Sequence, residues 1–194
     1  MRRPLIALTT LALLGISPAA FAHPGHLAGS GFTAGLLHPF TGLDHLLAML
    51  AVGLWAAQRG GRYLFVIPAS FVAMMAVGAV AGAAGITLPL VEPGILGSLL
   101  VFGLLIAFDA RLPLSAGMVV IGSFALFHGY AHAMEIPAHA NLAVFGSGML
   151  LGSVVLHLVG IGAGRVGKMQ IHETALRLSG GLIALVGMAL FVVA

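Results

Sequence analysis

Two short segments gather the groups able to hold a metal ion: His38-Pro39-Phe40-Thr41-Gly42-Leu43-Asp44-His45, and Phe127-His128-Gly129-Tyr130-Ala131-His132-Ala133-Met134-Glu135. There is no cysteine in the 194 residues, so thiolate ligands and a cysteine nucleophile are excluded, while nine histidines remain. Imidazoles with carboxylates suit borderline divalent ions such as nickel, cobalt, zinc or iron better than Cu(I), magnesium or calcium, and they do not choose among the borderline ions. His128, His132 and Glu135 stand at i, i+4 and i+7, one stripe on one helix face, where two imidazoles one turn apart can share a metal.

The first segment poses a reach problem. In an unbroken helix His38 and His45 would be separated by about 10 Å along the axis, too far for one ion with bonds of about 2 Å. Pro39 disfavours helical geometry at His38 and removes a backbone donor, and Thr41 with Asp44 has the spacing of a helix-starting capping box. A span broken at His38-Pro39 is therefore expected, with His38 on non-helical backbone that bends toward Asp44 and His45. Such backbone at membrane depth must be buried in protein or line a cavity.

The elements that carry these groups are membrane spans. The chain is 60% hydrophobic and 7% charged, against roughly a quarter charged in a soluble domain, and its mean hydropathy is +1.15. Apolar stretches long enough to span run over residues 31–58, 63–84, 93–108, 113–134, 141–163 and 173–193, the third being short. Before them, Arg2-Arg3, an apolar run and Ala20-Phe21-Ala22 match a cleaved signal peptide over residues 1–22. The expected fold class is an all-α membrane protein: six transmembrane helices after that peptide, forming one domain over residues 23–194.

Of the eight Lys and Arg, Arg2 and Arg3 leave with the signal peptide and the other six face five acids. A pI of 10.2 therefore carries no implication of nucleic-acid binding. Arg59, Arg62, Arg111, Arg165, Lys168 and Arg177 all fall at the same ends of the alternating spans. Basic residues collect on the cytoplasmic side, so both termini are expected outside an inner membrane, and both motif segments in the outer half. An Asp at a helix centre costs roughly 2.5–3.5 kcal/mol on the insertion scale, which makes intramembrane ionisable groups functional candidates by default. The opposing reading is hydrogen-bonded glue between helices. Gly78 and Gly82, Gly148 and Gly152, and Gly160 and Gly164 are small-xxx-small pairs that let helices pack closely.

The H-x5-D-H set His38, Asp44, His45, and the run Phe127 to Glu135 reading F-H-G-x-A-H-x-x-E, resemble the signature segments of the HupE/UreJ family of nickel and cobalt permeases. The likeness extends over the whole chain, with Ala133 standing where many relatives have Gly. The resemblance implies import of Ni2+ or Co2+ as transported substrate, nickel first, for the maturation of metalloenzymes.

His38, Asp44, His45, His128, His132 and Glu135 are accordingly the expected metal ligands. His23 and His26, near the new amino terminus, and His139, near Glu135, are secondary candidates for capture at the entrance. His157, deep in the fifth span, reads as a satisfied core histidine, with an exit ligand as the alternative. Asp109 beside Arg111, and His172 beside Glu173, read as interfacial groups. No G-x-x-x-x-G-K-[ST] motif is present, so no nucleotide is hydrolysed by that route, and no organic cofactor is expected. Transport would be secondary or passive rather than enzymatic. The rivals are an intramembrane metal-dependent hydrolase, using the same ligands to activate water, and a membrane metal sensor. Two clusters on the first and fourth spans also suggest a three-plus-three repeat, although no residue-level match between the halves accompanies it.

Overall fold

The computed structural model describes residues 30–137, 139–166 and 172–193; the expected signal peptide, His23 and His26 lie outside the described residues. Seven α-helices make up the order among these: α1 Phe32–Leu37, then one turn of 3-10 helix His38–Phe40, α2 Leu43–Arg59, α3 Tyr63–Ala83, α4 Val91–Ala107, α5 Leu114–Glu135, α6 Leu142–Val166 and α7 His172–Val193. No strand occurs among the described residues. In hydrocarbon a helix satisfies every backbone group within its own segment, which is the arrangement these apolar runs adopt. Four helices are long and apolar enough to cross a membrane, α3, α5, α6 and α7, and the bent pair made by Phe32–Phe40 with α2 passes as a fifth span. The 17-residue α4 is apolar but shorter.

The outer surface is hydrocarbon: Phe65, Val80, Leu158, Leu178, Leu182 and Val192 are each at least 60% exposed. The chain is thus a multi-pass membrane protein. Inside, Met49, Trp55, Phe71, Phe102 and Ile121 are fully enclosed.

Glycine lets the backbones meet. A Cβ on Gly129 of α5 would overlap the Met75 carbonyl of α3, and one on Gly78 of α3 would overlap the Leu126 carbonyl of α5. All three small-residue pairs are used within the chain: Gly78 and Gly82 against α5, Gly148 and Gly152 against α1, and Gly160 and Gly164 against α2. The principal pairings are α3 with α5, α4 with α7 and α2 with α6.

The first span is broken, with an 81° bend between Phe32–Phe40 and α2, but its local chemistry differs from expectation. His38 keeps right-handed helical dihedrals (φ −53°, ψ −47°) and Pro39 occupies the start of the 3-10 turn. The backbone turns extended only at Gly42 (φ −96°, ψ 124°), which is the residue that caps α2. Pro39, the second residue of that turn, is tolerated there because the opening N–H groups of a helical turn have no partner within it. The expected Thr41–Asp44 capping box does not form. The Thr41 hydroxyl instead donates to the His38 carbonyl at 2.7 Å, and Asp44 Oδ1 accepts from the His45 backbone N–H at 2.8 Å. With Gly42 in the capping position, Thr41 ends the preceding turn and cannot start the next.

At the opposite end of α2, Arg59 pairs with Asp109 of the α4–α5 connection, whose carboxylate also draws Arg111 (3.7 Å) and Arg177 (3.9 Å). Trp55 Nε1 and Tyr63 Oη donate to the Ala110 and Leu112 carbonyls of the same connection. Three of the basic residues noted in the sequence thereby share one end of the bundle. Asp109, expected beside Arg111, draws Arg59 and Arg177 as well and is a three-arginine hub.

Candidate metal centre

The bend solves the reach problem. By folding α1 and the 3-10 turn away from the α2 axis, it places the His38 ring 5.1 Å from that of His132, while His45, at the start of α2, stands 4.3 Å from the same ring. His45 also meets His128 edge to face at 4.9 Å. His128 and His132 share a face of α5, one turn apart, so the four imidazoles form a continuous cluster contributed by two spans. Phe145 of α6 closes one side against His38 at 5.6 Å.

Glu135 ends α5 and leans over the cluster. Its Oε2 accepts from His38 Nε2 at 2.8 Å and lies 3.6 Å from His132 Nδ1. One ligand atom each from His38, His132 and Glu135 lies within 4.8 Å of the others, the convergent set among the described residues. A shell of bonds of about 2 Å spans at most about 4 Å between ligands, so a slight contraction brings these three onto one ion.

Exposure falls inward. The Glu135 side chain is 46% exposed and that of His38 16%, whereas His128 and His132 are sealed at 0% and 1%. The cluster is therefore a funnel, with its carboxylate at the mouth and its imidazoles below.

Hydrogen bonds assign the inner tautomers. Asp44 Oδ1 accepts from His45 Nδ1–H at 2.9 Å, which leaves the Nε2 lone pair of His45 buried and unpartnered. On the far side, the Ser98 hydroxyl donates to the Ile95 carbonyl at 2.6 Å, so its oxygen accepts from His128 Nε2–H at 2.9 Å. The lone pair of His128 Nδ1 is then the one left without a partner. Two buried imidazoles thus each present a free nitrogen while a neighbour holds the other, the arrangement by which carboxylates and hydroxyls orient metal-bound histidine. Neither nitrogen of His132 has a hydrogen-bond partner among the described residues. These donors suit a divalent ion of the nickel, cobalt and zinc group.

Asp44 faces His45 through one oxygen, positioning that ring, and does not belong to the convergent trio of ligand atoms. His139 is exposed in the α5–α6 connection, outside the trio. Ser98 was missed by sequence reasoning. Its signal was present, since it is the one hydroxyl in an otherwise apolar third span. His157 departs from expectation: it is 1% exposed, yet neither ring nitrogen has a partner among the described residues, so it is not a satisfied core histidine.

Fold and site together define a polytopic helical membrane protein with a histidine and carboxylate cluster opening at one end of the bundle. The family model described as HupE / UreJ protein matches residues 11–190. The chain is also 44% identical over 184 residues to Protein HupE of Rhizobium leguminosarum bv. viciae, a match covering 95% of this chain and 96% of that one. It belongs to the HupE/UreJ family. No solved structure matches it.

Proposed function

We propose that this chain is a secondary or passive permease that carries a divalent transition metal, nickel or cobalt, into the cell across the bacterial inner membrane. His38, Asp44, His45, His128, His132 and Glu135 form its outer site. The observation that carries the reading is the convergence of His38 and His45 on His132 from either side of an 81° break, with free nitrogens left on His45, His128 and His132. A bundle held only by polar glue would consume those nitrogens in hydrogen bonds, because unmet buried polar groups are costly.

Six spans follow if α4 crosses with the five other candidates. Gathering of Arg59, Arg111 and Arg177 around Asp109 supports placing that end in the cytoplasm, with the cluster and both termini on the periplasmic side. Counting spans in order, the pairings first with fifth, second with fourth and third with sixth map onto one another under exchange of two three-helix halves, which supports a three-plus-three repeat. Cleavage after Ala22, capture by His23 and His26, and an accessory role for His139 at the mouth complete the proposal.

Flux of 63Ni2+ or 57Co2+ into proteoliposomes containing the purified protein tests this reading. Accumulation above protein-free vesicles is expected; saturable binding without accumulation overturns it in favour of a sensor, and turnover of a substrate without accumulation in favour of an enzyme.

A further inference from the structure

The geometry points to a second ligand station for the same class of ion at His157 of α6, deeper in the bundle and separated from the outer cluster by the ring of Phe71. It rests on the transport reading above and concerns how an ion leaves the outer site.

A neutral imidazole carries one N–H and one lone pair, and at His157 both are buried with no partner among the described residues. Buried polar groups are otherwise almost always paired, so each exception calls for a reason. Packing alone does not supply one, because leucine or phenylalanine would fill the space without a desolvated donor and acceptor.

Position supplies the reason. Phe145, Met149, Ser153 and His157 recur every four residues on one buried face of α6. Phe145 touches His38, so the face that borders the outer cluster at one end carries His157 further in. The Phe71 ring lies 5.6 Å from that of His128 and 5.0 Å from that of His157, in contact with both. At about 1.5 Å per residue His128 is about 10 Å along α5 from Glu135, whereas His157 is about 22 Å along α6 from Leu142. Two turns beyond His157, Gly164 lines a cavity of about 270 Å³ with Ala57, Gln58, Arg59 and Asp109 at the arginine-rich end. Outer cluster, Phe71, His157 and cavity thus follow in series. An ion crossing the Phe71 partition exchanges the Nδ1 lone pair of His128 for a lone pair of His157, with Ser153 Oγ and Met75 Sδ, 3.8 Å apart one turn nearer the cluster, as adjoining soft and hard donors.

The test replaces His157 by leucine and measures 63Ni2+ flux into proteoliposomes, nickel bound to the purified protein at equilibrium, and Tm in detergent. The expected result is a maximal flux lower by about tenfold or more, with bound nickel unchanged because the outer cluster is intact, and with Tm unchanged or higher. Parental maximal flux in His157→Leu overturns the station, and so does a parallel loss of bound nickel, which would make His157 a support of the outer site. If His157→Leu does not accumulate in the membrane, His157→Gln is measured in the same way and must show the same loss of flux with retained binding. Absence of flux from the parental protein defeats the transport reading and the station with it, whereas parental flux unaltered in the variant defeats the station alone.

Discussion

Ser98 and His128 meet at 2.9 Å between α4 and α5, both fully buried, and the hydroxyl accepts the imidazole Nε2–H because its own proton is committed to the Ile95 carbonyl. That contact fixes the ring through Nε2 and leaves Nδ1 of His128 without a partner, beside the His45 ring at 4.9 Å. Ser98→Ala removes the acceptor while barely changing volume, so His128 loses its orientation and not its ring. Half-saturation of uptake should rise by about tenfold, with protein abundance unchanged. An unaltered concentration dependence would show that the hydroxyl has no orienting role.

His45→Ala and His128→Ala each remove one imidazole from a different span. Because the cluster is shared, neither span should suffice, and each variant should lose nearly all nickel uptake and most of the nickel retained by the purified protein. Uptake at the parental rate by both variants, present at normal levels, would sink the shared site and leave the helix-glue reading as the better account.

Asp44→Asn keeps an oxygen able to accept from His45 Nδ1–H but removes the negative charge at the start of α2. If Asp44 acts by charge as well as by holding the ring, uptake should fall severely, while circular dichroism and abundance stay parental. Rates equal to the parental protein would reduce Asp44 to a hydrogen-bond acceptor.

Gly129→Ala drives a methyl group into the Met75 carbonyl where α3 and α5 cross. Rigid backbone on both sides leaves nothing flexible to yield, so stability should drop by about 1–3 kcal/mol, read as a lower Tm in detergent. Gly146→Ala, on α6 with no atom within 4 Å of the new methyl, should instead gain about 0.5–1 kcal/mol from reduced chain entropy. Equal Tm values for the two variants would contradict the packing described for the α3–α5 crossing.

Because the chain lacks cysteine, single cysteines report sidedness cleanly. A membrane-impermeant thiol reagent applied to intact spheroplasts should label Thr87→Cys, in the exposed α3–α4 connection, and spare Pro113→Cys, beside the arginine-rich end. The reverse pattern would invert the proposed topology.

Helix limits were largely legible from residue order. The expected stretches 63–84 and 113–134 compare with Tyr63–Ala83 and Leu114–Glu135, because hydrocarbon requires each span to satisfy its own backbone and so makes helix placement a local matter of apolar length and punctuation. Both motif segments were legible for the same kind of reason, since ionisable groups stand out against so apolar a background. The break was expected from Pro39 but is completed at Gly42, because two local hydrogen-bonding options for Thr41 compete and residue spacing does not rank them.

What sequence alone determined is therefore the one-dimensional part: a multi-pass helical membrane protein, its apolar segments, and the residues with the chemistry to hold a divalent ion. Tertiary structure decided how those residues are used. It set His132 between His38 and His45, gave Asp44 and Ser98 the task of holding one nitrogen of a neighbouring imidazole, and left His157 with neither nitrogen met. The physical reason is range. Ser98 and His128 lie on different helices, thirty residues apart in the chain. Whether a given nitrogen is a donor, a free lone pair or an orphan depends on distances of about 3 Å that only the packing of whole helices creates.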